Sequence, residues 1–186
     1  MENAILLIDI QNDYFAGGRN ELHLPELAAS RAREALELYR RLNLPVFHVQ
    51  HISTRPGATF FLPDTAGADI HESVAPLPNE NVIVKHAPNA FFQTELAAEL
   101  QRLEVRHLVI CGMMSHMCID TSVRAAKDHG FAVTLLEDAC TTKDLRWRET
   151  VIPAETVHQT FMAALSGSFA QVQRTEEFIA GIVNNR

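Results

Sequence analysis

Several features are scarce in this sequence, and each scarcity removes a class of protein. There are only three cysteines in 186 residues, without disulfide or zinc-ligand spacing, so a cystine-stapled scaffold and a cysteine zinc ribbon are excluded and any working cysteine is a free thiol. No apolar run approaches the roughly 18 residues of a membrane span, so no membrane partner is expected. The start, MENAILLIDIQ, has an acid at position 2 and an apolar run broken by Asp9, without the basic start and cleavage site of a secretory signal. Free thiols and no signal together give a cytoplasmic expectation. Basic residues are in deficit, 16 Lys and Arg against 23 Asp and Glu, for a formal net charge of -7. The one Arg-rich stretch, Arg31 to Arg41, has helical spacing with Leu and Glu between the arginines and reads as a solvated helix face, so nucleic acid is not an expected partner. A glycine-rich dinucleotide or phosphate loop is also missing, and no cofactor is expected.

What remains is an ordinary globular composition, 47% hydrophobic and 21% charged, of a length that suits one domain over residues 1–186. Short β-rich apolar runs recur at Ala4 to Ile8, Val46 to Ile52, Val82 to Val84, Leu108 to Cys111, Ala132 to Leu136 and, more weakly, Ala170 to Val172. Stretches of helical period separate most of them. Pro25 opens the first helix, Thr94 is placed to cap the segment carrying Leu96 and Leu100, Thr175 opens the last, and Val157, Phe161 and Leu165 form an apolar stripe stopped by Gly167. Strands alternating with helices predict an α/β fold, a three-layer α/β/α sandwich on a mainly parallel six-stranded sheet of the Rossmann-like kind. Residues 53–81 hold several Pro and Gly and no sustained period, which predicts a long functional loop.

In such sheets ligands sit beyond the carboxyl ends of the strands. Asp9 directly follows four apolar strand residues, where an acid is costly to bury unless it is paired or its proton is useful. Lys85 ends the third strand run at the same edge and is the natural counter-charge. The fourth run leads through Gly112-Met113-Met114-Ser115-His116-Met117 to Cys118, at the start of a helix whose dipole and unpaired N–H groups favour a thiolate and can bind an oxyanion. Cys111 reads as a packed small hydrophobe within a strand, and Cys140 as a pocket-lining thiol at best. His48 and His51 point to opposite faces of one strand and cannot easily share an ion, so no metal is expected.

The ordered set Asp9, Lys85, Cys118, in the contexts LLIDIQNDYF (Leu6 to Phe15), VIVKHAPNAFFQT (Val82 to Thr94) and VICGMMSHMCIDTSVRAAKDHGFAVTLLEDAC (Val109 to Cys140), resembles the isochorismatase-like cysteine hydrolases. These include nicotinamidases, N-carbamoylsarcosine amidohydrolases and isochorismatases. The resemblance implies Cys118 as nucleophile, Asp9 as base and then acid, and Lys85 as the cation that lowers the thiol pKa. It also implies a cis peptide between Met113 and Met114, an oxyanion hole from the N–H groups of Met114 and Cys118, and a substrate contact at Gln50. The zinc-ligand pattern of the zinc-dependent nicotinamidases is absent from Val49-Gln50-His51-Ile52-Ser53-Thr54. The presence of Cys118 points away from isochorismatases that rely on the acid alone.

The expected activity is therefore hydrolysis of a C–N bond in a small amide or carbamoyl compound through a Cys118 thioester. The alternatives are a vinyl-ether hydrolase using Asp9 as acid, and a catalytically silent binding protein on the same fold. Phe15, Phe60, Phe61, Phe91 and Phe92 flank the motifs and are candidates for an apolar pocket. The partner is a small-molecule substrate, and the family habit is a homo-oligomer, a dimer or tetramer.

Overall fold

The computed structural model describes residues 3–184. Among them the strands are β1 (Asn3–Ile8), β2 (Val46–His51), β3 (Asn81–Lys85), β4 (His107–Met113), β5 (Ala132–Thr141), β6 (Leu145–Trp147), β7 (Thr150–Ile152) and β8 (Gln171–Gln173). The helices are α1 (Pro25–Arg41), α2 (Leu96–Arg102), α3 (Asp120–Asp128), α4 (Ala154–Leu165) and α5 (Thr175–Asn184). Six strands form one sheet in the order β3-β2-β1-β4-β5-β8, and every pairing in it is parallel. The reversal of strand order on either side of β1 brings the carboxyl ends of β1, β2 and β4 around one crevice.

Alternation along β1 explains the layers. Ala4, Leu6 and Ile8 pack with Leu96 and Leu100 of α2, Val123 and Ala126 of α3, and Met162 and Leu165 of α4. Ile5 and Leu7 point the other way, into a second core with Ala32, Leu36 and Tyr39 of α1 and Phe178 of α5. A strand buried on both faces must be apolar at every position, which is why ILLI reads as a continuous run. Burying each such side chain contributes about 1.5–3 kcal/mol. In α1 the buried face is largely alanine (Ala28, Ala29, Ala32, Ala35), so the helix sits close against the sheet.

Other elements depart from the sequence reading. β5 continues past Leu136 to Thr141, and its pairing with β4 shifts register between Ile110 and Gly112. The β6–β7 antiparallel hairpin is a further addition, its three-residue strands being too short to show a period. β3 is a sheet edge, and its Val82 and Val84 are exposed. Glu95, not Thr94, occupies the cap position of α2, although the Thr94 hydroxyl lies 3.4 Å from the Leu96 N–H. The long loop is not shapeless: it forms short 3-10 turns at Ala66–Ala68 and Glu72–Val74 and bridges Ile70 to Gln11. No described helix is long and apolar enough to cross a membrane.

Candidate active site

Asp9 is the first residue beyond β1. It adopts φ 53, with its N–H donating to Val49 O at 3.0 Å and its carbonyl accepting from Gln11 N at 3.0 Å. This turns the carboxylate under the strand ends rather than along the sheet. Lys85 is the last residue of β3 and pairs in register with His51 of β2. Cys118 lies within the π-helical turn Ser115–Ile119 that precedes α3, where the longer repeat is closed by Ile119 N–H donating to Met114 O at 3.2 Å.

The three side chains converge. Lys85 Nζ stands 2.8 Å from Asp9 Oδ2 and 3.3 Å from Cys118 Sγ. It also donates to the Ala87 carbonyl at 3.1 Å and meets His51 Nδ1 at 2.8 Å. Asp9 and Lys85 are both 0% exposed, so each charge depends on the other. Beyond that ion pair, the Cys118 thiol is the other side chain that bears on the Asp9 carboxylate.

Burial raises the Asp9 carboxyl above its usual range, while Lys85 and Cys118 pull it back. Burial alone would push the Lys85 ammonium down, but the charges of Asp9 and Cys118 reverse this and hold it above the usual lysine value. For Cys118 burial dominates, Asp9 adds to it, and Lys85 opposes both, so the thiol stays above its ordinary value. The ion pair at 2.8 Å together with the raised thiol is consistent with a carboxylate, an ammonium and a thiol. Lys85 does act in the direction that favours a thiolate, but 5% exposure and an adjacent carboxylate outweigh that cation.

Above the thiol is a pocket of about 140 Å³ lined by Tyr14, His51, Phe60, Phe61, Met114 and Cys118, among others, with Ser53, Thr54, Arg55 and His86 also on its wall. The first part of the long loop supplies this roof. Of the phenylalanines considered from sequence, Phe60 and Phe61 line it. Phe15 stacks on His71 with ring centres 3.7 Å apart, Phe91 packs on His129 and Phe131 in the core, and Phe92 is exposed. Gln50 is also absent from the pocket wall, because its side chain donates to the Ala68 carbonyl at 2.8 Å and holds the loop. Phe15, Phe91 and Gln50, expected to contact substrate, thus do not line this pocket.

Sequence reasoning passed over the residues that hold the pocket in shape. Gln11 is buried and clamps His51 from both sides, accepting from its N–H at 2.8 Å and donating to its carbonyl at 2.9 Å. Asp13 accepts from the Phe61 N–H at 2.6 Å, fixing Phe61 at φ 54. Both lie in the LLIDIQNDYF segment; a polar residue at a strand end that must be buried was the available signal. Two residues before Met114, Gly112 has φ +129, and a Cβ there would come within 2.0 Å of Ile8 O. Only glycine permits this approach of β4 to β1. The Met113–Met114 peptide that follows is cis.

Asp9, His51 and Cys118 offer donor atoms that all lie within 4.8 Å of one another, a spacing compatible with a metal ion. The Lys85 ammonium touches all three, so a positive charge already occupies the point where these donors converge. The set does not suit a second cation there.

A family model described as the Isochorismatase domain matches residues 3–177. The chain belongs to the isochorismatase family. It is 53% identical to the uncharacterized isochorismatase family protein YddQ of Bacillus subtilis (strain 168), over 96% of this chain and 99% of that protein. A crystal structure of an isochorismatase-family hydrolase from Oleispira antarctica superposes with a TM-score of 0.93 at 44% identity, covering 96% of each chain. A streptothricin hydrolase of Streptomyces noursei is 32% identical over 90% of this chain and 58% of its own length. This isochorismatase-family chain is accordingly a hydrolase, in a family that includes enzymes acting on C–N bonds.

Proposed function

We propose that the chain is a cysteine hydrolase that cleaves the C–N bond of a small amide or carbamoyl compound through a Cys118 thioester. The observation that carries this reading is a buried carboxylate and a buried thiol that both meet one ammonium and lie within 4.8 Å of each other, beneath a pocket of about 140 Å³. Asp9 takes the thiol proton as Sγ attacks the carbonyl carbon, and the N–H groups of Met114 and Cys118 receive the developing oxyanion. Asp9 then returns that proton to the leaving nitrogen as the C–N bond breaks. Water, deprotonated by Asp9, hydrolyses the thioester, so amide plus water gives acid plus amine and the thiol is restored. Lys85 keeps the carboxylate ionised until the thiol proton arrives.

The test is an ammonia-release screen over small aliphatic, aromatic and carbamoyl amides, followed by rapid acid quench during turnover. A mass increase on the Cys118 peptide, absent in Cys118→Ala, is the expected result. An adduct on Cys111 or Cys140, or most of the activity surviving in Cys118→Ala, sinks the mechanism and favours vinyl-ether cleavage by Asp9 alone.

A further inference from the structure

His51 stands against the reacting set without a part in the proton transfers above. Its Nδ1 is 2.8 Å from Lys85 Nζ, and an ammonium has only protons to offer, so Nδ1 must present its lone pair. A neutral imidazole with Nδ1 accepting carries its proton on Nε2. The ring is neutral: burial, then Lys85, His86 and Arg55, hold its pKa down at about 3, and the permanent charges facing it are Lys85 and Arg55, with Asp9 beyond Lys85. No hydrogen bond to Nε2 is formed among the described residues, and His51 lies on the pocket wall. Its backbone is pinned at both ends by Gln11, and Phe61 packs beside the ring with centroids 5.9 Å apart.

We propose that His51 is a specificity-determining residue, whose Nε2–H is a fixed hydrogen-bond donor that selects acyl groups carrying an acceptor atom. The inference rests on the amidase reading for the identity of the substrate, and adds to it that the acyl part is compact and bears a lone pair away from the scissile carbonyl. A cavity of about 150 Å³ admits a benzene ring, so a six-membered heteroaromatic acyl group, or a small acyl group with a second carbonyl, is of the right size.

Picolinamide, nicotinamide and isonicotinamide place a ring acceptor at three positions, and benzamide is their isostere without one. At least one pyridine amide should exceed benzamide in kcat/KM by about tenfold, the worth of one neutral hydrogen bond. In His51→Asn the amide oxygen can still accept from Lys85, but nothing reaches the place of Nε2–H, so the preference, read as the ratio of kcat/KM between a pyridine amide and benzamide within that one variant, should fall to near unity. If none of the four is hydrolysed, the same comparison is made on protection of Cys118 from iodoacetamide, which separates failure of this inference from failure of the amidase reading. Nitrogen-15 NMR of histidine-labelled wild-type protein gives a readout that needs no variant: the Nε2–H tautomer should persist from pH 5 to 9. A protonated ring at pH 5, an Nδ1–H tautomer, equal behaviour of all four amides, or a preference that survives in His51→Asn overturns the proposal.

Discussion

Replacing Lys85 with Met removes a charge from the interior while keeping an apolar stem of similar length, and leaves the Asp9 carboxylate, at 0% exposure, without its counter-ion. The carboxyl then folds as the neutral acid. Taking up a proton at pH 7, against an unfolded value near 3.8, costs about 1.36 kcal/mol per pH unit, or about 4.4 kcal/mol in all. At pH 5 the same cost is about 1.6 kcal/mol. The sign follows from proton binding: the folded variant holds one more proton than the unfolded chain, so its stability is full below the unfolded pKa and declines as pH rises. Lys85→Met combined with Asp9→Asn has no carboxyl to neutralise and serves as the reference, since every other titrating group is shared. Urea unfolding should find Lys85→Met less stable than the double variant by about 4 kcal/mol at pH 7 and by about 1–2 kcal/mol at pH 5. A gap that does not change with pH, or no gap at all, refutes the buried ion pair.

Gly112→Ala should fail to fold or lose more than about 3 kcal/mol in thermal or urea unfolding, because a Cβ at φ +129 meets Ile8 O at 2.0 Å; a melt within a few degrees of wild type contradicts the close approach. Glu80 is pushed up by burial, but hydrogen bonds from Arg40, the Leu77 N–H and His48 hold its carboxyl down at about 2. Its stabilisation is therefore present above its ordinary value of 4.5 and lost as pH falls toward 2. Glu80→Gln should cost about 1–3 kcal/mol at neutral pH, a difference that shrinks in urea curves taken at pH 3. Alkylation of Cys118 in the free protein should keep accelerating beyond pH 9, since burial and Asp9 hold the thiol up; a plateau near pH 7 indicates a resting thiolate.

Asp9 and Lys85 were legible because of a conflict within the sequence: ionisable residues ending apolar runs cannot be buried alone, so each implied the other. The layer order was legible for a related reason, since ILLI has no polar face to turn outward. Cys118 was found from its position ahead of a helix, but its charge state was not, because that depends on how deeply the turn sinks and on an acid from another strand. Phenylalanine carries no such conflict. Phe91 in the core and Phe61 on the pocket wall are equally apolar, and the contacts that place Phe61 there, among them its N–H donating to Asp13, come from residues far away in sequence. His51 was considered only as a metal ligand shared with His48. Alternation rightly separates the two, and His48 instead meets Glu80 at 2.9 Å. The partner of His51 is an ammonium at the end of the next strand, which no periodicity reveals.

In the proposed mechanism the buried set also gives a reason for a carboxylate, rather than an imidazole, as the base. In the resting state Asp9 and Lys85 cancel and Cys118 is a neutral thiol. Moving the proton from Sγ to Asp9 turns the carboxylate neutral as the thiol becomes an anion, so the summed charge of the set stays at zero. Lys85, 2.8 Å from Oδ2 and 3.3 Å from Sγ, is within reach of whichever member is anionic. Forming the nucleophile in this way adds no net charge to a low-dielectric interior, whereas a histidine base would gain a positive charge beside an ammonium. The neutral His51 at the same ammonium is consistent with this, for its pKa of about 3 makes it a poor proton acceptor there. The set is strongly coupled, so a pH–rate profile will yield apparent values that belong to the three groups together. Asp9→Asn should abolish turnover while Cys118 remains alkylatable at high pH, because the thiol can still lose its proton to hydroxide but no longer to its neighbour.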